Sequence, residues 1–185
     1  MIKLHLGCGN KHLDGYVNID FYKSEATDQL LDINNIDDFY KPNSVDVIYM
    51  AHVLEHFERA QGNLVIHKLF KILKPSGILR LAVPDWDAVV ERYLETKNLK
   101  ELSHILYGNH DRPLGGHFTI WSFDSMEKDL RRVGFRDVWR YDWRLTDHNT
   151  IDDFSRAHLP HDPEAIKTGN FNNHKLISLN IEALK

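Results

Sequence analysis

Two glycines and a carboxylate near the N-terminus have the spacing of a nucleoside-binding loop. An apolar run at residues 2–6 predicts a buried strand, and Gly7-Cys8-Gly9 follows it directly. Glycines let a ligand approach the backbone closely, and Asp20, eleven residues after Gly9, can accept hydrogen bonds from two hydroxyls. The span is too short for the long helix that binds a pyrophosphate in dinucleotide-binding domains. The loop therefore favours a nucleoside ligand without a pyrophosphate.

A second group of polar residues, "HVLEH" at residues 52–56, has two interpretations. It matches H-x-x-E-H, in which two histidines on a helix bind zinc and the glutamate acts as the base of a peptidase. Residues 46–50 predict a strand, however, so only the start of a helix could contain the motif. A zinc metallopeptidase is the less favoured alternative, and no metal site is expected. A divalent ion at Glu55 and His56 is a further alternative, ranked below local packing.

The elements around these motifs alternate between strand and helix. Residues 16–20, 44–50 and 77–83 are short apolar segments bounded by turn residues, which predicts central strands. Residues 60–74 have apolar side chains at helical spacing, which predicts an amphipathic helix, and residues 177–183 alternate strictly, which predicts a half-buried final strand. The prediction is an α/β fold with a mostly parallel twisted sheet, helices on both faces and an antiparallel strand near the C-terminus.

Length and composition restrict the class of protein. A chain of 185 residues, 42% of them hydrophobic, fits one domain over residues 1–185. The irregular residues 145–175 predict an insertion that forms a wall of the substrate site. No apolar run approaches the roughly 20 residues that span a bilayer, and no signal peptide is evident, so we expect a cytoplasmic protein without membrane partners. The net charge of -4 argues against nucleic acid as a partner, and the oligomeric state is left open.

The motif series resembles class I S-adenosylmethionine-dependent methyltransferases, especially a small family with a shortened first helix that is often linked to glycan and polysaccharide modification. The resemblance lies in "LHLGCGN", "NIDF", "LLDINN", "SVDVIYMAHVLEHF" and "KILKPSGILRLAVPD", which follow one another in the family's order. It implies a Rossmann-like fold and S-adenosylmethionine as the cofactor, with S-adenosylhomocysteine as the product. It also implies a cofactor site built from the following residues: Gly7, Gly9, Asn10, Asp20, Phe21, Asp32, Ile33, Ala51 and His52.

The resemblance further implies an enzyme that methylates an oxygen acceptor, with a sugar hydroxyl of a glycan or polysaccharide as the first candidate. His117 lies in a glycine-flanked loop where the family has a histidine, and neutral imidazole suits removal of an alcohol proton near pH 7. Five residues are predicted to bind the acceptor: His56, Trp121, Trp143, His148 and Asp152. The alternatives are a phenol or metabolite O-methyltransferase and, in a different class, a non-catalytic cofactor-binding module.

Overall fold

The computed structural model describes residues 1–111 and 114–185, with only the backbone described at residue 166. A seven-stranded sheet has the order β3-β2-β1-β4-β5-β9-β6. Its strands are β1 (Lys3–Leu6), β2 (Val17–Asp20), β3 (Gln29–Leu30), β4 (Val45–Ala51), β5 (Leu73–Pro84), β6 (Asp137–Arg140) and β9 (Ser178–Leu184). The first five strands in that order pair in parallel, and β9 runs antiparallel to both β5 and β6. The predicted mostly parallel sheet with an antiparallel C-terminal strand is confirmed.

Six helices accompany the sheet in the described ranges: α1 (Ile36–Phe39), α2 (Arg59–Ile72), α3 (Trp86–Thr96), α4 (Leu99–Tyr107), α5 (Phe123–Val133) and α6 (Pro163–Thr168). α2 contacts both α1 and α5, and these helices bury apolar residues against one face of the sheet. α5 begins at a capping box formed by Ser122 and Ser125 and ends at Gly134. None of the helices in these ranges is long and apolar enough to cross a bilayer.

The two faces of β4 are packed differently because successive side chains point to opposite faces of a sheet. Ile48 and Met50 belong to the large apolar core. Tyr49, on the other face, packs with Leu13 and Tyr16 of the loop that replaces a long first helix. The Tyr49 hydroxyl donates a hydrogen bond to the carboxylate of Asp153, which connects this face to the segment after β6.

Residues 145–175 contain regular structure. β7 (His158–Leu159) pairs antiparallel with β8 (Lys175–Leu176), and α6 lies between them in the chain. This small sheet packs on α3, as part of an apolar cluster that includes Val89 and Leu159. The segment is thus a folded addition to the sheet domain, although the sequence pattern had suggested an irregular insertion.

Candidate functional site

The loop after β1 places two glycines in the left-handed backbone region, for different reasons. Gly7 has φ +68°, and a Cβ there would lie 2.3 Å from Cγ2 of Val53, so any side chain would overlap the segment that follows β4. Gly9 has φ +56°, and nothing lies within 4 Å of the position of its absent Cβ. Gly7 therefore permits close packing, whereas Gly9 leaves open space beside the backbone for a ligand.

Asp20 ends β2 next to this loop. One of its carboxylate oxygens accepts a hydrogen bond from the Gly9 N–H and the other accepts one from the Tyr22 N–H, each at 2.8 Å. Each carboxylate oxygen keeps a second lone pair for another donor. The backbone thus fixes the carboxylate in place while leaving it able to bind two ligand hydroxyls.

A cavity of about 660 Å³ opens beside Asp20 at the carboxyl ends of the parallel strands. This is the edge at which open α/β sheets bind their ligands. Among the predicted cofactor residues, those that line the cavity are Gly7, Asp20, Phe21, Asp32, Ile33 and His52. Gly9, Asn10 and Ala51 are absent from its lining, although Gly9 is joined to the cavity by its hydrogen bond to Asp20.

Sequence reasoning did not identify several other residues of the cavity wall. Five of them lie within a few residues of predicted site positions, and this closeness in the sequence was the only indication that they belong to the wall: Asn34, Val53, Phe57, Glu58 and Gln61. Leu114 and Phe118, by contrast, come from the loop before α5 and are 65% exposed. Exposed apolar side chains on a loop carry no periodicity, so no pattern in the sequence indicated that they border the cavity.

The "HVLEH" segment leaves β4 through a strained turn. His52 has φ +52°, a conformation that residues with side chains adopt infrequently and that occurs often at functional sites. Leu54–His56 forms a single 3₁₀ turn, and α2 begins only at Arg59. The helix that the inverted zinc-peptidase motif requires is therefore missing from this segment.

Glu55 is completely buried within that turn. Nδ1 of His52 lies 2.9 Å from Oε1 of Glu55, close enough for an ion pair. Burial raises the pKa of the Glu55 carboxyl, but His52 and His56 outweigh burial, so that the net shift of the pKa is downward. Oε2, the other carboxylate oxygen, has no hydrogen-bond partner among the residues of the described ranges.

His117 lies against the same group of residues. Its ring meets the ring of His56 edge to face, with centroids 4.9 Å apart. Its Nδ1 lies 2.8 Å from the carbonyl oxygen of Ile105. Burial lowers the pKa of His117, and the nearby Glu55 carboxylate partly opposes that shift. His117 is next to the cavity wall formed by His56 and Phe118 but is absent from the lining itself.

A second cavity, of about 560 Å³, lies at the end of β6. β6 runs parallel to β5, because both are antiparallel to β9, so this cavity opens at the same edge of the sheet as the first. Its wall combines aromatic rings, guanidinium groups and side-chain amides, from Arg140, Trp143, Arg144, His158, Asn170, Phe171 and Asn172. The ring of Phe154, in the segment that also supplies part of this wall, lies 5.8 Å from the ring of His52 at the first cavity.

Only two of the five predicted acceptor residues line a cavity: His56 the first and Trp143 the second. Trp121 is only 1% exposed, as part of the main core, and lines neither cavity. His148 also lines neither cavity, because it is buried with its ring against Tyr49 at a centroid distance of 4.1 Å. Asp152 lines neither cavity and faces Arg156 instead.

A family model described as a methyltransferase domain matches residues 6–139, well over half of the chain. The chain belongs to this methyltransferase family. The match includes the glycine loop, Asp20, the 52–56 turn and His117. No curated protein sequence matches the chain.

Solved structures of methyltransferases share the fold at low sequence identity. A SAM-dependent methyltransferase from Archaeoglobus fulgidus is 15% identical with a TM-score of 0.59, over 99% of this chain and 85% of that chain. A 1,6-didemethyltoxoflavin-N1-methyltransferase from Burkholderia thailandensis, solved with S-adenosylhomocysteine, is 13% identical with a TM-score of 0.61, over 100% of this chain and 70% of that chain. A possible histamine N-methyltransferase from Thermotoga maritima is 14% identical with a TM-score of 0.58, over 100% of this chain and 82% of that chain.

The protein is therefore a methyltransferase with a Rossmann-like fold. The residues of the first cavity suit S-adenosylmethionine, the cofactor that the sequence resemblance implies. Asp20 keeps two acceptor positions for a ribose diol, the position beside Gly9 is open, and the cavity volume of about 660 Å³ is within the usual range for cofactor sites.

Proposed function

We propose that this methyltransferase transfers the methyl group of S-adenosylmethionine to an oxygen acceptor, and that the acceptor is a sugar hydroxyl of a glycan or polysaccharide. Bound S-adenosylmethionine supplies a methyl group already activated by its sulfonium. The protein's own task is to hold acceptor and cofactor in line and to exclude water, which needs positioned groups and no nucleophilic triad. The observation that carries the proposal is the pair of cavities at one edge of the sheet.

In the first cavity, Asp20 would bind the ribose hydroxyls and Phe21 would lie beside the adenine. Asp32 and Ile33 would contact the adenine edge, and Asp32 is held in place by accepting a hydrogen bond from the Asn34 N–H. Gly9 would leave room for the methionine part of the cofactor, and Gly7, which lines the cavity, lets Val53 pack closely against the loop. His52 then borders the reactive end, at the point where β4 finishes.

The second cavity supports a sugar as the acceptor. Sugar rings present C–H faces that stack on aromatic side chains, and Trp143 and Phe171 lie in this wall with ring centroids 5.9 Å apart. The amides of Asn170 and Asn172 supply both donors and acceptors for hydroxyl groups. The contact between Phe154 and His52 joins this side of the protein to the first cavity. We therefore propose the segment 145–175 as the wall of the acceptor site.

His117 is the proposed acceptor of the hydroxyl proton. Its Nδ1 faces the Ile105 carbonyl oxygen and must carry a hydrogen to bond with it, so that Nε2 of the neutral ring keeps an unshared pair. The lone pair can receive a proton directly or through a water, since His117 lies immediately behind His56 in the wall.

The experiment is a panel of acceptors incubated with the full chain and isotopically labelled cofactor, followed by mass spectrometry. Label in an alkali-stable methyl ether of an oligosaccharide supports the proposal. Label in phenols or other small metabolites alone would replace the glycan with the second candidate, a small-molecule O-methyltransferase. Binding of S-adenosylmethionine without transfer to any acceptor would favour a non-catalytic cofactor-binding module.

A further inference from the structure

We propose that Glu55, His56 and His117 form a binding site for one divalent metal ion next to the cofactor cavity. Each residue offers a ligand atom, and the three atoms lie within 4.8 Å of one another. Donors that bind one ion at about 2.1 Å lie roughly 3–4 Å apart, so small side-chain rotations bring the three into coordination.

The orientation of the two imidazole rings leaves nitrogen lone pairs for an ion. His56 Nδ1 lies 2.9 Å from the Gly116 carbonyl oxygen, and His117 Nδ1 lies 2.8 Å from the Ile105 carbonyl oxygen. A carbonyl oxygen only accepts, so both rings donate from Nδ1 and keep an unprotonated Nε2. A backbone carbonyl on the other ring nitrogen is the usual way in which proteins orient histidines that bind metals.

Glu55 is the independent reason to expect a cation. The carboxylate is completely buried; Nδ1 of His52 lies 2.9 Å from Oε1, whereas Oε2 has no hydrogen-bond partner among the described residues. A buried carboxylate oxygen without a donor is costly unless a positive charge compensates it. His52 supplies an ion-pair contact to Oε1 only, which leaves Oε2 for the proposed ion.

Two imidazole nitrogens and one carboxylate oxygen favour first-row divalent ions such as Zn²⁺, Co²⁺ or Mn²⁺. Three protein ligands leave at least one coordination position free. Because His56 lines the first cavity, that position would face this cavity and could hold the oxygen of an acceptor that reaches the methyl group there. This last step rests on the proposed function, whereas binding of the ion itself does not. An ion would also occupy the lone pair of His117 that otherwise accepts a proton, so the two roles of His117 exclude each other at any one time.

To test this, the full chain is first freed of metal with a chelator. It is then titrated with Co²⁺ and with Zn²⁺ in the absence of cofactor and acceptor. We expect one equivalent of Co²⁺ to bind and to give visible absorption bands of a coordinated nitrogen and oxygen site. Glu55→Gln, His56→Ala and His117→Ala should each weaken binding by more than about 100-fold, the upper limit seen when only outer-shell partners are lost. His67→Ala, on the exposed side of α2, is the matched control and should bind normally.

Absence of stoichiometric binding in the unmodified protein overturns the proposal, as does binding that survives all three ligand substitutions. If Glu55→Gln does not fold, as judged by circular dichroism, the two histidine variants decide the matter. Cofactor affinity is measured on the same preparations. A protein that binds S-adenosylmethionine but no metal retains the proposed function and loses only the metal site.

Discussion

The Gly9 N–H donates a 2.8 Å hydrogen bond to the carboxylate of Asp20, which joins the glycine loop to the end of β2. Asp20→Ala should weaken S-adenosylmethionine binding by about 100-fold or more, because hydrogen bonds to a charged group contribute about 1.5–3 kcal/mol each. Isothermal titration calorimetry measures the change. Asp14→Ala, a fully exposed carboxylate in the same loop, is the control and should leave the affinity unchanged. An unaltered affinity in Asp20→Ala would remove Asp20 from the cofactor site.

Gly7 and Gly9 should respond differently to alanine. Gly7→Ala places a Cβ 2.3 Å from Val53 Cγ2 and also carries the cost of a positive φ, so it should lower the free energy of unfolding by about 2–4 kcal/mol, with partial recovery when Val53→Ala is added. Gly9→Ala meets no protein atom, so it should reduce cofactor affinity with a loss of stability of only about 1 kcal/mol from its positive φ. Chemical denaturation and calorimetry separate the two effects. Equal loss of stability in both variants would contradict the assignment.

His117→Ala should reduce turnover by roughly 100-fold, the range for loss of a general base, while cofactor affinity in metal-free buffer changes little. His67→Ala should retain full turnover. Chelation of the unmodified protein separates the two roles of His117. Activity that falls on chelation and returns with added ion indicates a ligand, and activity that is indifferent to chelation indicates a proton acceptor. Full turnover in His117→Ala would leave the residue with neither role.

Trp143→Ala should raise the KM for a glycan acceptor by about 10-fold, since loss of an aromatic contact costs about 1 kcal/mol or more. Cofactor affinity should stay the same, because Trp143 is absent from the first cavity. Trp139→Ala is the matched control, a partly exposed tryptophan on β6 outside both cavities. Equal kinetic effects of the two substitutions would argue against acceptor binding in the second cavity.

Asp147 makes stability depend on pH. Its carboxylate lies 2.5 Å from Lys3 Nζ and 3.1 Å from Arg80 Nη1, and although burial alone would raise its pKa, these two cations hold the pKa of Asp147 well below its usual range. A lowered pKa in the folded state stabilises the protein above the unfolded-state pKa of about 3.9, and that contribution is lost as the pH falls further. Asp147→Asn should therefore cost about 1 kcal/mol at pH 7, a value limited by its solvent exposure.

Denaturation at pH 7 and at pH 3 tests this dependence. The difference in free energy of unfolding between the two proteins should shrink at the lower pH. Asp142→Asn, whose partner Arg144 is mostly exposed, should have a smaller effect at pH 7. A difference that is constant across the pH range would contradict the ion-pair explanation.

Much of the wall of the first cavity could be predicted from sequence because its residues lie at the ends of strands that apolar runs identify. Asp20 ends β2 and His52 directly follows β4, so topology alone brings them to one edge. The wall of the second cavity could not be predicted in this way. Trp121 and Trp143 look equivalent in the sequence, yet Trp121 packs in the core, with its Arg59 neighbour over the ring, and Trp143 lines a cavity. Only three-dimensional packing distinguishes them.

The helices and strands also differ in how clearly the sequence indicates them. α2 and β9 have clear periodicity and were predicted closely, whereas α3 and α4 were missed because their apolar residues pack mainly against one another and the small sheet. At the start of α5, Asp124 and Glu127 also have the spacing of a capping box, but Ser122 and Ser125 form the actual one. Two overlapping patterns that lie only two residues apart cannot be separated without the backbone.

Leu114, His117 and Phe118 belong to one stretch of five residues, in which the outer two border the cofactor cavity and the histidine faces Glu55 and His56. A nucleoside in the cavity and an ion at His117 would therefore act on the same piece of backbone. Thermodynamic linkage makes their influence reciprocal. If the bound ion changes the affinity for the cofactor by some factor, the bound cofactor changes the affinity for the ion by the same factor. The total binding free energy should therefore be the same whether the protein is titrated with the ion first or with the cofactor first.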